Sequence, residues 1–264
     1  MHLSIRLYIV RSLKMCMRML IYLEDVITKF KNYFTLGEKI LWSISVISIL
    51  LSFFLFDRTN YLTLAASLIG VTSLIFCAKG NPFGQLLMVI FSILYGLISY
   101  SFAYYGEVAT YVGMTLPMSI LALISWVKNP YEKNKAEVKV NVLRKKEVVL
   151  MWIYSLLITV LFYFILDFWG TANLIPGTVS VTTSFLAVYL SFYRSPYFAL
   201  AYAANDIVLI VLWILASMQD YRYLSVVVCF AAFLANDIYG FINWQKMKAG
   251  QKNNENANKT ETFP

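Results

Sequence analysis

Eight apolar runs of about 20 residues alternate with short polar segments along the chain: 38–57, 61–78, 84–104, 108–127, 148–168, 173–193, 197–217 and 222–244. A helix of about 20 apolar residues crosses a bilayer. The pattern therefore predicts eight transmembrane helices. Several runs are separated by only a few residues, which makes neighbours antiparallel hairpins. The long internal loop is 128–147.

Two stretches of this pattern repeat. Tyr105 and Tyr223 each precede a tryptophan by 21 residues, Trp126 and Trp244, and a lysine follows each two positions on, Lys128 and Lys246. Upstream, Asn81-Pro82-Phe83 matches Ser195-Pro196-Tyr197 once a four-residue loop difference is allowed. The frame predicts two three-helix repeats, 61–127 and 172–244. Three helices reverse the chain's direction, and the extra span 148–168 restores it. The repeats then run parallel, related by an axis along the membrane normal, one of the plans used by transporters. Span 38–57 is left as an additional N-terminal helix. The expected fold is an all-α polytopic membrane protein: two parallel three-helix repeats joined by a linker helix (3+1+3) plus one N-terminal helix.

Charge orients the spans. With the N-terminus in the cytoplasm, the segments 1–39, 79, 128–147, 194 and 245–264 hold 20 of the 22 basic residues, and only Arg58 and Arg222 fall outside. The excess of lysine and arginine on one side predicts both termini inside. The net charge of +8 thus reads as topology rather than nucleic-acid binding. Composition agrees: 60% hydrophobic, 14% charged is the balance of a multi-pass membrane protein. Residues 1–37 mix basic and apolar positions. They fit either an amphipathic surface helix or, over the first dozen or so, an upstream start-site extension ahead of Met15, Met17 and Met19. No signal-peptide pattern is present. The tail 245–264, which ends in QKNNENANKTETFP (251–264), is polar and expected to be disordered.

Candidate chemistry is sparse. His2 is the one histidine, and Cys16, Cys77 and Cys229 are spaced for neither a metal site nor a redox pair. No Walker A loop, GxSxG or HExxH occurs. No catalytic residue, metal or cofactor is expected. What stands out is Asp206 and Asp237, each preceded by an asparagine, Asn205 and Asn236, at mid-span with no basic residue at comparable depth. An ionisable group at the bilayer centre costs about 3 kcal/mol on insertion scales. Two without a partner are tolerable facing a wet cavity or a bound cation.

The neighbours of these carboxylates extend the candidate site. Tyr202, Asn205, Asp206, Leu209 and Trp213 share one face of 197–217, and Asn236, Asp237, Gly240, Asn243 and Trp244 one stripe of 222–244. The first repeat offers Gln85, Ser92, Tyr95 and Ser99, then Tyr111, Thr115 and Met118. Pro117 is expected to kink its helix and free a carbonyl. The candidate binding set is Asn205, Asp206, Asn236, Asp237, Tyr202, Tyr95, Gln85, Tyr111, Thr115, Trp213 and Asn243. Trp126 and Trp244 read as belt anchors at the boundary, the lysines after them as topology charges, and most serines and threonines as cross-helix bonds. Aromatic faces attract a cation, carboxylates neutralise it, and amides and hydroxyls read sugar hydroxyls. The set suits a positively charged, planar small molecule.

Asn81-Pro82-Phe83-Gly84, YGLISY, YYGEVATYVGMTLPMSILALISWVKNP and FLANDIYGFINW resemble the PnuC-type vitamin transporters, in particular those for nicotinamide riboside. The likeness covers roughly residues 37–248. It implies a 3+1+3 core related to SWEET-type sugar transporters with opposite wiring, commonly a homotrimer. It also implies import uncoupled to ATP or an ion gradient, with trapping by a cytoplasmic kinase. Relatives take thiamine or riboflavin, of which thiamine is cationic. Where many members carry a WxxW-like aromatic pair, this chain reads ALAYAAND, leaving Tyr202 beside Ala199 to stack on a ring. The resemblance implies a multi-pass protein of the cytoplasmic membrane. Two other classes stay open: a membrane-embedded enzyme, and the substrate-capture subunit of an ATP-driven importer.

Overall fold

The computed structural model describes residues 33–101, 105–171 and 173–261. The readings made for the start of segment 1–37 lie outside the described residues. The chain falls into two units, Met1–Leu41 and Trp42–Pro264. In the first, the amide of Thr35 donates to Glu38 Oε2 at 2.7 Å, and Thr35 Oγ1 accepts from the Glu38 amide at 3.3 Å. This reciprocal pair satisfies two of the amides a helix start leaves open.

Among the described residues, eight helices are long and apolar enough to span a bilayer. They are α1 Leu36–Phe56, α2 Tyr61–Ala78, α3 Pro82–Ser101, α4, α5 Lys145–Phe168, α6 Leu174–Phe192, α7 Phe198–Ser217 and α8 Leu224–Glu261. Helix α4 is composite: an α-helical turn Tyr105–Val108, a π-helix Ala109–Thr115 and an α-helix Leu116–Lys128. The π-segment is where the kink at Pro117 was expected. Proline has no amide to bond the carbonyl four residues back. The backbone widens just before it, and the Leu116 amide bonds to the Tyr111 carbonyl five residues earlier. Such single π-turns redirect the side chains they carry, here Tyr111 and Thr115.

Helix packing closes a ring. Within the first repeat α2 packs on α3 and α3 on α4; within the second α6 packs on α7 and α7 on α8. Between repeats, α2 packs on α8 and α6 on α4. The first helix of each repeat thus meets the third helix of the other. Helix α5 packs against α6 and leaves most of its surface outward, with Trp152, Leu156, Leu161 and Phe164 exposed. An apolar face of that size belongs against lipid or another apolar surface.

The same reciprocity appears atom by atom at the lysine-rich end. Trp126 Nε1 donates to the Ser191 carbonyl at 2.8 Å, and Trp244 Nε1 to the Cys77 carbonyl at 2.8 Å. Ser191 and Cys77 are the penultimate residues of α6 and α2. One step along, Ser125 Oγ donates to the Phe192 carbonyl and Asn243 Nδ2 to the Ala78 carbonyl, both at 2.8 Å. Helix-end carbonyls lack partners within their own helix, so each repeat's third helix satisfies the first helix of the other. Trp126 and Trp244 are fully buried. This corrects their assignment as belt anchors: they hold the repeats together.

The 128–147 loop is partly ordered as a hairpin, β1 Pro130–Tyr131 antiparallel to β2 Asn134–Val138. The tail after Trp244 differs from expectation too. It is helical as far as Glu261, because Gln251 and Asn254 bond to residues of the loop. Docking compensates the ordering entropy that polarity alone would not.

Candidate functional site

The two mid-span carboxylates come together from neighbouring helices. Asp206 is the ninth residue of α7, and Asp237 lies on α8; both are almost fully buried. Their side chains lie within hydrogen-bonding reach of one another. Asp206 Oδ2 accepts no hydrogen bond from any donor among the described residues. The ion pairs among those residues lie elsewhere: Lys139 with Glu255, Arg144 with Glu147, Arg222 with Asp220. Two carboxylates this close stay buried at tolerable cost when a proton or a cation lies between them.

Both line one cavity inside the ring of helices. Its walls are Leu74 of α2, Met88 and Phe91 of α3, Tyr111 and Thr115 of the π-segment, Ser184 of α6, Tyr202, Asn205 and Asp206 of α7, and Phe230, Phe233 and Asp237 of α8. All six ring helices contribute. The enclosed space is about 30 Å³, room for a water or two. Small-molecule sites run to several hundred Å³, so the walls must part before a nutrient-sized molecule fits.

Local sequence explains how each wall is set. On α3, Gln85, Met88, Ser92, Tyr95 and Ser99 follow one another at three- and four-residue steps, and all are buried. That spacing keeps one stripe inward. On α8, Phe230, Phe233 and Asp237 do the same. Gly70 of α2 makes room for the Phe233 ring: a Cβ there would sit 2.3 Å from Phe233 Cζ. Asn205 is held by the hydroxyls of α6. Its Oδ1 accepts from Thr183 at 2.8 Å and Ser184 at 3.0 Å, which leaves its NH₂ to serve the cavity. The Thr115 hydroxyl is buried without a hydrogen-bond partner among the described residues. A lone hydroxyl, a carboxylate oxygen without a donor and an amide donor give the cavity polar groups still to be used.

Of the eleven residues expected at the site, six line the cavity: Asn205, Asp206, Asp237, Tyr202, Tyr111 and Thr115. Tyr95 and Trp213 stand behind this layer. The Tyr95 ring lies 4.3 Å from that of Tyr111 and 6.5 Å from that of Trp213, centroid to centroid. Three are used elsewhere. Asn236 donates to Ser45 of α1 at 2.9 Å and to the Ala232 carbonyl at 2.8 Å. Gln85 donates to Ser191 Oγ at 3.0 Å, towards the lysine-rich end. Asn243 takes the Ala78 carbonyl described above. Sequence reasoning missed Leu74, Met88, Phe91, Ser184, Phe230 and Phe233. The spacing of Phe230 and Phe233 ahead of Asp237 was the available signal; nothing marked Leu74 or Ser184 among other apolar and hydroxyl positions.

The chain resembles known proteins across this whole core. Residues 60–246 match the family model described as "Nicotinamide mononucleotide transporter". A relative from Neisseria mucosa, "Nicotinamide riboside transporter PnuC", is 26% identical over 210 residues, covering 78% of this chain and 80% of that protein. A solved structure, "Crystal structure of the Vitamin B3 transporter PnuC", superposes with a TM-score of 0.72 at 23% identity, covering 83% of this chain and 94% of the other. Its fold is shared: the ring of two three-helix repeats with its linker helix is a fold already seen in a vitamin transporter. With the family model spanning both repeats and the cavity between them, the chain belongs to the nicotinamide mononucleotide transporter family and is a multi-pass membrane protein.

Proposed function

We propose that this protein admits nicotinamide riboside to the cell by facilitated diffusion, with phosphorylation of the vitamin in the cytoplasm preventing its return. The observation that carries this reading is the pair Asp206 and Asp237, facing each other in one aromatic-walled cavity. Nicotinamide riboside joins a cationic pyridinium ring to a ribose. The carboxylates balance its charge. Tyr202, Tyr111 and the phenylalanines supply ring faces that attract a cation. The Asn205 amide and the Thr115 hydroxyl are suited to ribose or carboxamide.

Orientation follows the basic residues. The lysine-rich end faces the cytoplasm, and both termini lie there. The permeant enters from the opposite end, and the repeats rock to open the cavity first outward and then inward. The bonds from Trp126 and Trp244 to the opposite repeat lie on the inward path, so inward opening strains or breaks them.

Equilibrium binding to the purified protein tests the reading, with nicotinamide riboside, thiamine and riboflavin compared. The riboside is expected to bind most tightly and riboflavin, which is neutral, least. Tighter binding of thiamine keeps the cation but changes the vitamin. Riboside uptake by the single chain in liposomes without ATP is expected as well. A strict ATP requirement would point instead to a capture subunit of a larger importer.

A further inference from the structure

A third carboxylate lies beyond the cavity, and no part of the transport reading uses it. Glu107 sits in the turn that precedes the π-segment of α4. It is 6% exposed, and its Oε2 is buried with no hydrogen-bond partner among the described residues. None of the ion pairs among those residues includes it. A buried carboxylate without a basic mate poses the same electrostatic problem as the aspartate pair.

The neighbourhood of Glu107 is aromatic. Tyr111, one turn further along α4, is within electrostatic reach of both Glu107 and Asp206. Tyr95 is within reach of Glu107 as well. The two tyrosine rings form a tilted pair 4.3 Å apart, and Phe91 and Phe230 close on Tyr95 at 5.5 and 5.9 Å. Tyr111 thus borders both Glu107 and the aspartate pair. One turn beyond Tyr95 on α3, Ser99 is wholly buried, and its hydroxyl has no hydrogen-bond partner among the described residues. Glu107 lies eight residues before Thr115, roughly 10 Å along the helix at about 1.5 Å or less per residue. It stands on the side away from the lysine-rich end.

We propose that Glu107, Ser99 and the Tyr95–Tyr111 pair form a second, outer station that binds the cationic ring of the permeant before it passes the aromatic layer to Asp206 and Asp237. The inference rests on the transport reading above and adds a place where charge is selected. A carboxylate on one side of the tyrosine pair and two on the other let a cation cross that layer without a long uncompensated step, because ring faces attract it throughout. A neutral molecule of the same shape gains nothing from Glu107.

Glu107→Gln tests this, since the amide keeps the shape and removes the charge. Uptake by proteoliposomes is measured for the cationic riboside and for its reduced, uncharged-ring form, both well below saturation. The expected result is a roughly tenfold fall for the cation, a change under twofold for the neutral form, and central-site affinity for the riboside within twofold of the parent. Ser99→Ala, which alters no charge, is expected to slow the cation about threefold. Monodispersity and melting temperature matching the parent show that the variants are folded. Equal slowing of both forms assigns Glu107 a structural role and overturns the proposal, as does no change in either. If the unaltered protein binds and carries neither nicotinamide riboside nor thiamine, the transport reading fails, and this station falls with it.

Discussion

The indole rings of Trp126 and Trp244 meet 5.2 Å apart, centroid to centroid, at an interplanar angle of 49°. They are equivalent residues of the two repeats, and each bonds to the penultimate carbonyl of the other repeat's first helix. Phe198 completes the cluster, 4.9 Å from Trp244 and 5.9 Å from Trp126. The symmetry of the sequence is thus used to make one joint from two half-joints. Each target carbonyl also accepts from its own turn, Ser191 from the Arg194 amide and Cys77 from the Gly80 amide.

Trp126→Phe and Trp244→Phe should therefore cost similar amounts. Losing a buried hydrogen bond whose acceptor keeps another donor costs about 1 kcal/mol. The volume missing from a fully buried position adds about 1 kcal/mol more. Thermal melting in detergent reads both. A belt tryptophan facing lipid would show almost no change, so a near-zero shift in either variant contradicts the joint.

The aspartate pair should trade stability against affinity. Asp206→Asn or Asp237→Asn removes one of two carboxylates that face each other away from any basic side chain. Removing a poorly compensated buried charge relieves its desolvation cost, so each variant should melt higher than the parent. The same change removes half the charge offered to a cation, and affinity for the riboside should fall about tenfold or more. Melting curves with and without ligand separate the effects: a higher melting temperature alone, a smaller ligand-induced rise. Variants that melt lower and bind as before would refute the pair as a cation site.

The two asparagines should behave differently despite their identical Asn-Asp setting. Successive helix residues point about 100° apart at 3.6 residues per turn. On α7 that turn leaves Asn205 at the cavity, braced by α6; on α8 it aims Asn236 at Ser45 of α1. Asn205→Ala should weaken riboside binding several-fold. Asn236→Ala should leave affinity within twofold and lower stability by about 1 kcal/mol, the worth of one buried bond. Isothermal titration beside thermal melting distinguishes the outcomes, and a large affinity loss at Asn236 would place it at the ligand after all.

This asymmetry shows where the sequence stops being readable. Apolar runs located each of the eight spans among the described residues, since length and hydropathy are local properties; most ends shifted by a few residues, and only α8 runs far past its apolar stretch, to Glu261. The depth of Asp206 and Asp237 was legible for the same reason. Rotation about a helix axis was not. Whether Asn236 or Gln85 faces a cavity depends on which helices close the ring, and a boundary tryptophan looks alike in lipid and in a joint. The π-segment was half legible: Pro117 announced a break in the hydrogen-bond ladder, but not that the backbone would widen and carry Tyr111 and Thr115 inward. The repeat itself is blurred at one turn. Gly80 and Arg194 both adopt a left-handed backbone, at φ 65° and 56°. Only glycine does so without strain, and Arg194 is held there by bonds to the Lys139 carbonyl and Ser125 Oγ.

Gln251 makes a sharp test of the extended tail. Its Oε1 accepts from the Val140 amide at 2.8 Å, and its Nε2 donates to Glu137 Oε1 at 2.7 Å and to the Val138 carbonyl at 3.1 Å. That is the pattern of a paired strand supplied by one side chain, and the residue is buried. Lys139 and Glu255 add an exposed ion pair at 2.9 Å, worth under about 1 kcal/mol and screened by salt. Gln251→Ala should thus release the 134–143 segment, whereas Glu255→Gln should barely affect it. Limited proteolysis in the 130–143 loop reads the difference: faster cleavage in the first variant, little change in the second. Hydrogen exchange should rise at the Val140 amide in the same variant. Equal cleavage in both would mean that the helix beyond Trp244 does not hold the loop, and that a polar tail of this composition orders for some other reason.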